Sequence, residues 1–151
     1  MAFVFWRWVY IRGRAEAWLS LDTNMEFTCA KIDGTEILGV KLAGEFNLDE
    51  AQNAFLGVLE SVRREHTDKV LVDGTGMTGE PETFQRFLYA AFAAMAVSDF
   101  KDPSMRMPKF AYALKPPLLD PERFGETVAV NRGMNVKTFE TVQEARDWLA
   151  G

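Results

Sequence analysis

The chain has 151 residues, 48% of them hydrophobic and 26% charged, with a formal net charge of -5. That length and balance describe one globular domain able to bury a core without disulfide or metal staples. The acidic balance excludes the clustered Lys and Arg of a nucleic-acid-binding face, and no apolar run approaches the ~20 residues of a membrane span, so no stable membrane insertion is expected.

Residues 1–24 differ from the rest of the chain. They hold Trp6, Trp8 and Trp18, three of the four tryptophans, and a net charge of +1 from Arg7, Arg12 and Arg14 against Glu16 and Asp22. Aromatic residues follow Met1 and the arginines come within and after the apolar run, the reverse of a secretory signal. With a single cysteine, Cys29, this points to the cytoplasm. A regular pattern begins at Met25. Residues 25–151 are therefore expected to form the folded domain and 1–24 an N-terminal extension outside its core. The rival is an added strand or an interfacial anchor over residues 3–11.

Residues 26–32 and 37–45 read as strands joined at Asp33-Gly34, which suits a tight hairpin turn. Asn47, with Glu50 three residues on, opens a helix. Its Ala51, Phe55, Val58, Leu59 and Val62 share one face. Arg63, Arg64 and His66 gather in its last turn, where positive charge suits the dipole. His66, the only histidine, is read as structural. Without it no Ser/His/Asp or Cys/His set can be assembled, and one His with one Cys makes no zinc site of the usual type.

Val70-Leu71-Val72 reads as a strand covered on both faces. It leads into Gly74-Thr75-Gly76-Met77-Thr78-Gly79, read as a loop, and Pro81 is expected at the first position of a second helix. Phe84, Phe87, Leu88, Ala91, Phe92 and Met95 give that helix a broad apolar face. It is expected to be buried between the sheet and neighbouring helices, with a dimer surface or the wall of an apolar pocket as the functional alternative. Residues 98–108 connect to a strand over 109–114, stopped by Lys115-Pro116-Pro117. Asp120-Pro121 is expected to start a third helix that stops at Gly133. A last strand over 135–139 is followed by a helix capped by Thr141 with Glu144, its Ala145, Trp148 and Leu149 facing inward. The order β-β-α-β-α-β-α-β-α predicts an α/β domain: a mixed, mostly parallel sheet of about five strands with about four flanking helices.

Gly74 to Gly79 spells G-x-G-x-x-G between a strand and a helix, the pattern that brings backbone close to a pyrophosphate. Here Asp73, Glu80 and Glu82 oppose phosphate. Pro81 delays the helix past the last glycine, and the next strand ends in Leu114-Lys115 with no acid for a ribose hydroxyl. No cofactor and no metal are expected. The carboxyl end of a central strand is still where open α/β sheets bind ligands. Asp73, Thr75, Thr78, Thr83 and Lys115 are the polar residues placed at that rim, with Asp73 and Lys115 as an ion pair. No spacing specifies two facing catalytic acids, so an enzyme using Asp73 and Lys115 ranks behind a binding role.

VLVDGTGMTG followed by an apolar helix, KFAYAL, then RGMNVKTFETVQEARDWL resembles the SpoIIAA-like or STAS-like domain family over about residues 25–151. The closing segment carries most of the likeness, with a strand reaching Phe139 and then Glu144-Ala145 and Trp148-Leu149. The resemblance implies a non-enzymatic module for binding and regulation, acting on a partner protein or on a second copy of itself as a homodimer. In anti-sigma-factor antagonists of this fold, a phosphorylatable serine lies in an Asp-Ser-Ser-Gly stretch at the start of the second helix. That stretch falls here on Pro81, Glu82, Thr83 and Phe84, and Thr83 alone keeps a hydroxyl. Thr83 is thus the candidate phosphosite. The chain looks closer to divergent SpoIIAA-like proteins, which are similar to lipid-binding SEC14-type domains in some classifications. The alternative function is therefore a carrier or sensor of a small apolar, lipid-like ligand held by Phe84, Phe87, Leu88, Phe92 and Met95.

Overall fold

The structure is a computed structural model; it describes residues 25–100 and 102–151 in full, and residues 6–11 and 14–20 as strand backbone. Seven strands form one sheet in sequence order: β1 (Trp6–Ile11), β2 (Arg14–Ser20), β3 (Met25–Lys31), β4 (Ile37–Glu45), β5 (Lys69–Thr78), β6 (Lys109–Ala113) and β7 (Asn135–Phe139). β1 to β4 pair antiparallel, and β4 to β7 pair parallel through α1 (Leu48–Glu65), α2 (Thr83–Asp99) and α3 (Phe124–Asn131). α4 (Val142–Ala150) closes the chain. From Met25 onward this is the expected mixed sheet of five strands with four helices. The expected boundary at Met25 turns on residues 1–24, whose side chains lie outside the described residues.

The two faces are set by the period of two along each strand. Val70 and Val72 of β5 and Phe110 and Tyr112 of β6 point to the side of α1, α2 and α3, where they meet Phe27, Leu38 and Val40. Leu71, Ala111 and Ala113 point the other way and pack on Ala145 and Leu149 of α4, both 0% exposed. α4 packs mainly on β5 to β7, and Thr28 and Ala30 of β3 are exposed on that face.

Local chemistry explains the helix ends. Asn47 accepts from the Glu50 N–H at 3.0 Å, and Thr141 from the Glu144 N–H at 3.2 Å, as the two cap signatures predict. His66 takes the left-handed position after α1, with its N–H on the Val62 carbonyl. The third helix departs from expectation. It begins at Phe124, because Asp120 makes a turn of its own: one carboxylate oxygen accepts from the Glu122 N–H and the other from the Phe124 N–H. The side chain thus satisfies donors across 121–124 before the helix starts.

Candidate functional site

Gly74 to Thr78 is not a loop. β5 continues to Thr78, pairing Gly76, Met77 and Thr78 with Ala43, Gly44 and Glu45 of β4. Between Asp73 and Gly76 the register shifts, so that Gly74 and Thr75 stand against Leu42 alone. This is a β-bulge. Asp73 Oδ1 accepts from the Thr75 N–H at 3.1 Å and from the Thr75 hydroxyl at 2.6 Å, which holds the bulge in shape. The glycines permit close approach: a Cβ on Gly74 would lie 2.6 Å from Leu114 Cδ2. The turn is confined to residues 79–82, with Gly79 at φ 111°. Pro81 precedes the helix, since α2 starts at Thr83 with Glu82 as its cap, and the Glu82 N–H is met by the Gln85 side chain at 3.0 Å.

The polar residues expected at the rim are therefore spread out. Asp73 and Thr75 serve the bulge and Thr78 ends β5 beside Glu45. Thr83 is exposed at the first position of α2, and Lys115 is exposed where the chain leaves β6. Among the described residues no ion pair joins Asp73 to Lys115, and Asp73 Oδ1 is held by Thr75.

α2 sits the other way round from the expected burial of its large residues. Its buried face is Ala90, Ala93, Ala94 and Val97. On the opposite side Phe84 is 66% exposed and Met95 59%, with Leu88 half-buried between them. Phe87 and Phe92 lie at the edges against the core, Phe87 beneath the Arg132 guanidinium at 5.2 Å. Small residues let the helix approach the sheet between α1 and α3, and bulky ones are left outside.

An apolar cavity of about 140 Å³ lies behind α2, at the carboxyl ends of β5, β6 and β7. None of the ten residues singled out from the sequence lines it. Its walls include Leu42, Met77, Ala90, Ala93, Leu114 and Met134, together with Tyr89 from α2 and Tyr112 from β6, whose hydroxyls lie 2.8 Å apart. Burial pushes the Tyr89 phenol up to about 12 and the Tyr112 phenol well above its usual range. One edge is a strap over 115–120, in which Leu118 and Leu119 are buried. Arg86 fastens it, donating to the carbonyls of Leu118 at 2.5 Å and Pro117 at 2.8 Å while its Nε donates to Pro81 at 3.1 Å. At the far edge Arg123 donates to the Thr138 carbonyl at 2.7 Å, and Glu126 accepts from the Thr138 N–H and hydroxyl at 2.8 and 2.5 Å. Sequence reasoning missed this site. Its one signal was Arg86, a lone cation within the apolar TFQRFLYAAFAAMAV run.

Among the described residues no group of His, Cys, Asp and Glu is placed to hold a metal ion, and no helix is long and apolar enough to cross a membrane. Cys29 is buried between β3 and α1, and burial pushes its thiol up to about 11 against the opposing hydrogen bond with Ser61.

No family model matches the sequence, and no curated protein matches it significantly. Among solved structures, the chain is similar to an anti-sigma factor antagonist from Mycobacterium paratuberculosis, with 13% identity, a TM-score of 0.56, and coverage of 88% of this chain and 100% of that one. It also aligns with an uncharacterised protein of SpoIIAA-like fold from Shewanella loihica, with 16% identity, a TM-score of 0.48, and coverage of 93% of this chain and 99% of that one. The chain thus shares the fold of that anti-sigma factor antagonist.

Proposed function

We propose that the protein is a non-catalytic regulatory module that works by protein–protein contact, through the outer face of α2 and the turn that leads into it. The observation that carries this reading is the outward stripe of Phe84, Leu88 and Met95 on a helix whose alanines are buried. Large apolar side chains lined up on one exposed face mark an interaction surface. Thr83 stands exposed at the head of the same stripe. A phosphate there would add about two negative charges beside Glu80 and Glu82 and change what the surface accepts. The anti-sigma factor antagonist of the same fold supports a regulatory role.

The test is Phe84→Glu with Met95→Glu. Both side chains are exposed, so the fold should keep its melting temperature. Sedimentation of the purified chain reads self-association, and cross-linking followed by affinity capture from the source cell reads a foreign partner. The double variant is expected to lose whichever association the wild type shows. If it associates as the wild type does, or if the wild type sediments as a monomer and captures nothing specific, the reading fails.

A further inference from the structure

We propose that the cavity behind α2 binds a small neutral ring compound carrying one hydrogen-bond acceptor. This takes up the small-ligand reading of the sequence and moves it to the inner face of α2. The size comes first. A cavity of about 140 Å³ is close to the roughly 150 Å³ that accommodates benzene in an apolar protein interior. The part of an occupant that fits inside is therefore one ring with a short substituent.

The walls set the polarity. Leu42, Met77, Ala93, Leu114 and Met134 offer no hydrogen bonds to a ligand. A charged occupant would give up its hydration for nothing. The charged groups at the edges have other work: Arg86 holds three backbone carbonyls, Arg123 holds Thr138, and Asp120 accepts from two N–H groups of its own turn.

The tyrosine pair sets the acceptor. Two hydroxyls own two O–H donors, and their mutual bond at 2.8 Å uses one. The second has no protein acceptor among the described residues. A buried donor without a partner is disfavoured, and a carbonyl or ether oxygen on the occupant satisfies it. With the Tyr89 phenol pushed up to about 12 and the Tyr112 phenol raised well above its usual range by burial, the donor persists across the physiological range.

The experiment is an NMR titration of the full ¹⁵N-labelled chain with three probes: acetophenone, α-methylstyrene and benzoate. α-Methylstyrene has the shape of acetophenone with a methylene in place of the carbonyl oxygen. Acetophenone is expected to shift the amides of Ala90, Ala93 and Tyr112 saturably. α-Methylstyrene should bind the same site about tenfold more weakly, the value of one hydrogen bond, and benzoate should leave these amides unmoved. In Tyr89→Phe/Tyr112→Phe, acetophenone and α-methylstyrene should bind equally. Ala93→Leu fills the space and should abolish binding of both; if that variant is unfolded, the double phenylalanine variant decides alone. No saturable shift with acetophenone, equal affinity of the two neutral probes for the wild-type chain, or benzoate binding at these amides would each overturn the proposal. The result is separable from the partner reading, because Phe84→Glu/Met95→Glu leaves the cavity lining intact and should leave acetophenone binding unchanged.

Discussion

The hydroxyls of Tyr89 and Tyr112 lie 2.8 Å apart and join α2 to β6 beside an apolar cavity. Each is the other's only protein partner among the described residues. Tyr89→Phe or Tyr112→Phe therefore leaves one hydroxyl alone, and each single change should destabilise the protein by about 1 kcal/mol. The double change removes both polar atoms and should cost less than the sum of the two. Urea unfolding of the four proteins in a double-mutant cycle measures this. Strict additivity would mean that the bond does not contribute.

Glu50 links α1 to the first fully described strand. The residue is 7% exposed, and its carboxylate accepts from the Met25 N–H at 3.2 Å. Burial raises its pKa, and the bond to Met25 opposes that without reversing it. The folded state therefore holds the proton more tightly than the unfolded chain does. Relative to Glu50→Gln, the wild type should be most stable below the ordinary glutamate range and lose that advantage as pH rises through the raised value. Melting curves of the two proteins from acid to neutral pH should diverge in that direction. A wild-type advantage that grows with pH would contradict the raised pKa.

Cys29 is 3% exposed, and its thiol is pushed up to about 11. The thiolate is the reactive form, so a disulfide reagent at neutral pH should modify the native protein only as fast as it opens. Adding urea to the midpoint should accelerate the reaction by orders of magnitude. Rapid labelling under native conditions would show that β3 and α1 part readily.

Two glycines around the bulge should resist substitution for different reasons. Gly79→Ala places a side chain at φ 111°, with its Cβ 3.4 Å from Phe46, and should destabilise by at least about 1 kcal/mol. Gly74→Ala places a Cβ 2.6 Å from Leu114 Cδ2. It should cost about 1–3 kcal/mol unless the Leu114 side chain swings aside. Denaturant midpoints read both, and a Leu114→Ala background should rescue Gly74→Ala and leave Gly79→Ala unrescued.

Much of this architecture is written in local pattern. The stripe Ala51, Phe55, Val58, Leu59 and Val62 is the buried face of α1, Asn47 and Thr141 cap their helices, and β7 with α4 runs where the terminal segment predicts. These features depend on neighbours a few residues away, so the sequence determined them by itself. Tertiary structure decided the rest. Gly74 to Thr78 reads as a loop until β4 lies alongside, because only a paired strand gives in-strand glycines a reason. α2 is apolar nearly all round, so its periodicity could not say which side goes in. The close approach of the sheet, α1 and α3 selected its alanines and left Phe84 and Met95 outside. The same choice placed Tyr89 and Arg86 over the strand ends and created the cavity. The candidate site is thus a product of packing between segments distant in the chain, which no local pattern of residues specifies.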